Sequence, residues 1–274
     1  MEALEFSKGH GTGNDFVIIP DPEGAVTLTP TLVAALCDRR FGIGGDGVLR
    51  VVRTAASWEP ELTGGEWFMD YHNADGSVAE MCGNGARVFA RYLVQHGLVG
   101  TAEISLATRA GPVVAVVTDE AVSVEMPTPQ VYAEGSATVA GRELSGLAVA
   151  VGNPHLVCPL PPDLELAGLD LTGPPVVDAG LFPAGVNVEL TEQVAPDLLR
   201  MRVHERGVGE TRSCGSGACA VAAATLHMAG RTGGVVTVDT PGGRLVVTFS
   251  AGGCVLTGPA VLVARGTVEL EALR

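Results

Sequence analysis

Displacing the chain by 132 residues, the spacing between Cys82 and Cys214, aligns residues 69–127 with 201–259 without a gap. The identical pairs include Met69 and Met201, His72 and His204, Cys82 and Cys214, Gly83 and Gly215, Gly85 and Gly217, Ala86 and Ala218, Thr108 and Thr240, Gly111 and Gly243, and Pro127 and Pro259. Identity along the alignment is low, but the local patterns agree. Each half runs through a strand-like segment (66–71; 199–204), a polar turn, a Cys-Gly-x-Gly-Ala step and then a helix. The helices are expected over 84–96, stopped by Gly97, and over 216–229, stopped by Gly230. Two alternating β runs about a turn follow each helix, 104–106 with 113–117 and 235–239 with 245–249. An internal duplication of this kind predicts an α+β protein of two similar domains, each a mainly antiparallel sheet wrapped around a central helix. Earlier in each half, Gly13-Asn14-Asp15-Phe16 echoes Gly152-Asn153-Pro154-His155 at a different offset, so the repeat reaches toward both domain starts. The Pro-rich stretch 127–130 marks the expected boundary, giving one domain over 1–127, joined by a C-terminal strand over 264–274, and a second over 128–263. Two such halves, related by an approximate two-fold axis, are expected to face each other across a cleft that holds the active site.

Composition narrows the chemistry. At 274 residues and 46% hydrophobic, the chain can fill one core or two. It has no apolar run near the roughly 20 residues that a membrane helix needs. The amino terminus lacks a secretory pattern, so a cytoplasmic address is expected. A net charge of −14 argues against a nucleic-acid partner, because phosphate-backbone binding depends on clustered Lys and Arg. Lys8 is the sole lysine, which disfavours pyridoxal phosphate, a cofactor held through a lysine Schiff base. The six cysteines form no CxxC pair and no compact Cys/His cluster, so no metal is expected and the thiols read as reduced and mostly buried.

The repeated cysteines carry the functional argument. Inverting a carbon centre without a cofactor requires a base on one face to remove a proton and an acid on the other to supply one. A cysteine at a helix amino terminus suits either role, since the partial positive charge there stabilises thiolate and lowers its pKa from about 8.5. Backbone N–H groups at Gly83, Asn84, Gly215 and Ser216 are placed to cradle a carboxylate and to stabilise the charge that spreads into it. One such cysteine alone would read as a small core residue before a glycine turn; the matched pair does not. Cys219 has Arg87 at its repeat position and, with Cys37, Cys158 and Cys254, is expected in the core.

An ordered set of motifs spans nearly the whole chain. In the first half these are Lys8-Gly-His-Gly-Thr-Gly-Asn-Asp-Phe16, Phe41-Gly-Ile-Gly-Gly-Asp-Gly47, and His72-Asn-Ala-Asp-Gly-Ser77 leading to Met81-Cys-Gly-Asn-Gly-Ala-Arg87. In the second they are Gly152-Asn-Pro-His155, Gly185-Val-Asn-Val-Glu189, Val203-His-Glu-Arg-Gly-Val-Gly-Glu-Thr211 and Ser213-Cys-Gly-Ser-Gly-Ala-Cys-Ala220. Together they resemble the diaminopimelate epimerase family, the two-cysteine relatives of proline racemases. The resemblance implies a cofactor-independent, two-base interconversion of L,L-2,6-diaminopimelate and its meso form, a step of lysine and peptidoglycan-precursor supply, by a homodimer. It makes Cys82 and Cys214 the acid/base pair and gives the reacting carboxylate to the backbone around Gly83, Asn84, Gly215 and Ser216. Asn14, Asn73, Asn153, Asn187 and Arg206 would line the site, with Arg206 on the far carboxylate. Glu205 would take an ammonium group, and His155 and Glu205 would tune the thiols. Each also has a plainer reading: asparagines in Gly-Asn and Val-Asn steps serve turns, and Glu205 with Arg206 is readable as a surface pair. His72, His204 and Asp46 read as structural. The chain departs from the family pattern at Gly47, where some members carry Gln, and at Gly9 and Thr12, where Met and Leu are common. The first departure puts a side-chain contact from that loop in doubt.

Three other readings compete. A proline or hydroxyproline racemase would use the same thiol pair but has no need of the Asn-rich motifs or of Glu205 and Arg206. A thiol redox protein would join Cys82 and Cys214 reversibly, although the usual CxxC is missing. An amino-acid-binding protein would have no reason to keep cysteine at both repeat positions.

Overall fold

The computed structural model describes residues 3–59 and 61–273. The chain forms two compact units, Met1–Val124 with Pro259–Arg274, and Glu125–Gly258. The first contains β1 (Ala3–Gly11), β2 (Asn14–Pro20), α1 (Pro30–Cys37), β3 (Gly47–Arg53), β4 (Trp67–Asn73), α2 (Gly83–Gln95), β5 (Glu103–Ala107) and β6 (Val113–Val117), and it takes the first half of β7 (Val122–Met126). The second contains β8 (Gln130–Val139), β9 (Arg142–Ala150), β10 (Pro154–Pro159), β11 (Val176–Val177), β12 (Asn187–Ala195), β13 (Leu198–Glu205), β14 (Gly209–Thr211), α3 (Gly215–Met228), β15 (Gly234–Thr240), β16 (Gly243–Ser250) and β17 (Gly253–Gly258). The last strand, β18 (Val261–Glu269), returns to the first unit and pairs with β1.

Strand pairing repeats between the units. In the first, β18–β1, β1–β2, β3–β4, β5–β6 and β6–β7 are antiparallel, whereas β2–β3 and β4–β5 are parallel. In the second, β8–β9, β9–β10, β12–β13, β15–β16 and β16–β17 are antiparallel, whereas β10–β12 and β13–β15 are parallel. Even the short pairing of β14 with β13 has its counterpart, the bridge between His72 and Val78, which sits where His204 meets Glu210. The repeat read from the sequence is therefore a repeat of topology, α+β and mainly antiparallel as expected.

Both long helices are buried, and both begin and end in the same way. Cys82 and Cys214 are the N-cap residues, extended at φ −138° and −120°, and each sulfur accepts the backbone N–H of the third helical residue, Gly85 or Gly217, at 3.4 Å. At the other end Gly97 and Gly230 take φ of +65° and +64°. Leu98 N–H then reaches back to the Leu93 carbonyl and Arg231 N–H to that of Leu226, closing the same αL stop twice. In the first unit the central strands β2 and β3 are buried on both faces, as parallel strands require. Val17, Ile19 and Val48 pack with Val33 and Leu36 of α1, while Phe16 and Leu49 lie beneath the first turn of α2. The second unit builds its own core from Leu144, Leu156, Phe182, Val188 and Leu190. No helix among the described residues is long and apolar enough to cross a membrane.

Candidate active site

In the first unit the start of α2 meets the start of β2. Cys82 is half-buried, and its thiol donates to Asn14 Oδ1 at 3.7 Å. Asn84, buried in the first helical turn, donates its amide to the same oxygen at 3.3 Å and accepts from Arg87 Nη2 at 2.9 Å. Arg87 is fully buried and also reaches Thr12 Oγ1 at 3.1 Å, so a cation beneath the helix start holds this cluster together. The other end of the Asn14 amide donates to Asp46 Oδ2 at 2.8 Å. Asp46 belongs to a network in which Arg39 grips Asp15 through two hydrogen bonds and Lys8 pairs with Asp15 at 2.6 Å. Burial pushes the Asp15 carboxyl up, but Arg39 and Lys8 outweigh it and hold the group well below the usual carboxylate range. Asn73, by contrast, spends its amide within its own turn, donating to Ser77 Oγ at 3.0 Å. Its neighbour in register is Gly47, where a Cβ would lie 2.5 Å from the His72 carbonyl oxygen and 2.7 Å from Tyr71. Position 47 thus has no room for a side chain on this backbone.

In the second unit Cys214 is buried, with Ser216 Oγ 3.5 Å from its sulfur. Asn153 Oδ1 lies 2.9 Å from His155 Nε2, and His155 Nδ1 lies 2.6 Å from Glu189 Oε1. Asn187 accepts the Arg206 backbone N–H at 2.9 Å and donates to the Pro154 carbonyl at 3.4 Å, tying the start of β10 to the turn after β13. Glu205, last residue of β13, accepts a short hydrogen bond from Thr211 of β14. Arg206 is exposed, and its side chain folds over Gly185 to donate to the Ala184 carbonyl at 3.1 Å. Its guanidinium has no acidic partner among the described residues.

The electrostatics of Cys214 differ from the sequence expectation. Burial pushes its thiol well above the usual value, the Glu205 and Glu189 carboxyls add to that, and the hydrogen bonds from Ser216 and Gly217 offset only part. A helix start stabilises thiolate only where the sulfur is not also enclosed beside acids. Cys37, Cys158, Cys219 and Cys254 are buried as expected, and desolvation pushes Cys37 up to about 11 and Cys158 up to about 12. Two residues that reading the sequence left out of the candidate site hold side chains that it named. Asp46 aims Asn14, and Glu189 lies under the first turn of α3 against His155. The Gly-Gly-Asp-Gly and Val-Asn-Val-Glu motifs carried both, but neither motif shows which side chain its acid would meet.

The sequence profile of the family described as diaminopimelate epimerase matches residues 6–132 and 147–263. A protein of Thermobifida fusca named diaminopimelate epimerase is 52% identical over 279 residues, covering 99% of this chain and all of that one. A second, from Streptomyces coelicolor, is 52% identical over 280 residues, covering 97% and 96% of the two chains. Among solved structures, a Bacillus anthracis phenazine biosynthesis protein of the PhzF family superposes with a TM-score of 0.71 at 16% identity, over 98% of this chain and 99% of that one. An Agrobacterium vitis hydroxyproline epimerase with bound trans-4-hydroxy-L-proline superposes with a TM-score of 0.66 at 16% identity, over 97% and 92%. The two structures share the fold of this chain.

Proposed function

Because the chain belongs to the diaminopimelate epimerase family, we propose that it interconverts L,L-2,6-diaminopimelate and the meso isomer by a two-base mechanism, with Cys82 and Cys214 as acid and base and no cofactor. The observation that carries this reading is that the two repeat-equivalent cysteines both cap a helix start, each sulfur held by the N–H of the third helical residue. One thiolate removes the Cα proton and the opposite thiol delivers one, so the carbon inverts and the two sulfurs exchange protonation states. The backbone N–H groups at Gly83, Asn84, Gly215 and Ser216 take the carboxylate next to the reacting carbon and stabilise the carbanionic charge.

The remaining roles follow from what each group can offer. Arg206, exposed and without an acidic partner among the described residues, takes the distal carboxylate. Asn14 presents its oxygen beside Cys82 because Asp46 occupies its N–H2 group. Glu205 takes an ammonium, and the same contact cancels part of the negative field that keeps Cys214 protonated, so substrate binding eases the ionisation that chemistry requires. His155, Asn153, Asn73 and Asn187 complete the site, Asn187 by holding the Arg206 backbone. A cytoplasmic homodimer is part of the proposal. The test is to incubate the purified protein with L,L-diaminopimelate, and separately with L-proline and hydroxyproline, in reductant without added cofactor, and to follow chirality. Formation of the meso isomer supports the reading. Inversion of proline or hydroxyproline alone moves it to the racemases, and no inversion of any of them rejects it.

A further inference from the structure

Strands β10 and β12 bury a polar pair where their counterparts bury an apolar one. Phe16 of β2 lies beside Gly47 of β3, and His155 of β10 lies beside Asn187 of β12. Two residues further along β3 and β12, Leu49 and Glu189 occupy equivalent places. A Cβ on Gly85 of α2 would meet Leu49 at 3.4 Å and Phe16 at 3.6 Å, and one on Gly217 of α3 would meet Glu189 Oε1 at 2.6 Å. The fold is thus satisfied at this place by Phe and Leu. An acid and an imidazole enclosed at 0% exposure cost free energy that the apolar pair does not, which points to a use for them.

The hydrogen bonds give that use a direction. An amide oxygen only accepts, so with Asn153 Oδ1 at 2.9 Å the His155 Nε2 carries a hydrogen. In a neutral imidazole Nδ1 is then bare, and the hydrogen in the 2.6 Å contact between His155 Nδ1 and Glu189 Oε1 belongs to the acid. Glu189 Oε2 is buried without a hydrogen-bond partner among the described residues, a situation that a neutral acid tolerates far better than a carboxylate. Burial also pushes the Glu189 carboxyl up, against the opposing influence of His155.

We infer that Glu189 is a positioning residue: as a protonated acid it sets the tautomer of His155, which holds Asn153 by its oxygen and turns the Asn153 N–H2 group outward as a donor to a substrate carboxylate. This rests on the proposed role of Asn153 in binding substrate. The test pairs two variants of the full chain, Glu189→Gln and Glu189→Leu, with 15N nuclear magnetic resonance of the histidine side chains, the His155 signals being assigned by their loss in His155→Gln. Wild type is expected to show hydrogen on Nε2 and a bare Nδ1. Glu189→Gln, whose amide donates to Nδ1, keeps that tautomer and a KM close to wild type. Glu189→Leu loses the single tautomer and raises KM for diaminopimelate roughly ten- to hundredfold, with kcat changed less. Hydrogen on Nδ1, alone or on both nitrogens, in wild type overturns the inference, as does a folded Glu189→Leu with wild-type KM. The tautomer is read without turnover, so a wild type that inverts no diamino acid rejects the proposed function and leaves this inference to be decided on its own.

Discussion

The third helical residue after each of the repeated cysteines is glycine, yet replacing the two glycines by alanine should have opposite effects. At Gly85 a Cβ finds ordinary contacts, with Cys82 Cβ and Leu49 Cδ2 both at 3.4 Å. Gly85→Ala therefore gains helix propensity and should be neutral or stabilising by up to about 1 kcal/mol. At Gly217 a Cβ falls 2.6 Å from Glu189 Oε1 and 3.2 Å from both Cys214 Cβ and Glu189 Cγ. A carboxyl at the end of a free side chain could retreat cheaply. This one is enclosed and held by His155 at 2.6 Å, so it must either stay and overlap or give up a buried hydrogen bond. Either route costs about 1–3 kcal/mol, and since both variants share the propensity gain, Gly217→Ala should be less stable than Gly85→Ala by about that much. The two variants should differ in thermal midpoint by about 2–12 °C, and urea titrations should show the same order without a change in slope. In a Glu189→Ala background the penalty of Gly217→Ala should shrink by at least about 0.5 kcal/mol, because the obstructing oxygen is gone. Equal stability of the two single variants, or strict additivity with Glu189→Ala, would refute the reasoning.

Two further outcomes are expected. Asp46→Ala frees the Asn14 amide to turn, so KM for diaminopimelate should rise roughly three- to tenfold while the midpoint of urea unfolding moves little, since the Asp46 side chain is partly exposed to water; unchanged KM would remove Asp46 from the site. Cys214 in the free protein is a thiol held above its usual value, so peptide-resolved alkylation should be slow at neutral pH and accelerate only as pH climbs past the ordinary thiol range; Glu205→Gln removes a negative neighbour and should shift that rise to lower pH, and a shift in the opposite direction would contradict the electrostatic account.

What was legible in the sequence was what local chemistry and duplication dictate. The glycine stops of α2 and α3, the cysteines at their starts and the hairpins that follow each helix all depend on residues a few positions apart. The 132-residue repeat then carried these elements from one unit to the other. What escaped notice depends on side chains that only tertiary pairing joins. Glu189 meets His155 because β10 and β12 run parallel, and Asp46 meets Asn14 because the glycine-rich loop before β3 returns to the start of β2. The displaced ionisation of Cys214 was illegible for the same reason. A helix start is visible as a motif, but the depth at which it is buried and the acids that surround it are not.

The central claim, that each cysteine serves one face of the reacting carbon, is tested most directly by the early fate of the Cα hydrogen in deuterated water. The enzyme is given L,L-diaminopimelate, and the label in product and in recovered substrate is read by mass spectrometry over the first few per cent of conversion, for wild type and for Cys82→Ser and Cys214→Ser. The account predicts that the wild-type meso product carries one deuterium at the inverted carbon while recovered substrate is still protiated, and that either serine variant slows inversion at least roughly hundredfold. Equal labelling of substrate and product from the outset, or a single serine variant that inverts at the wild-type rate, would contradict it.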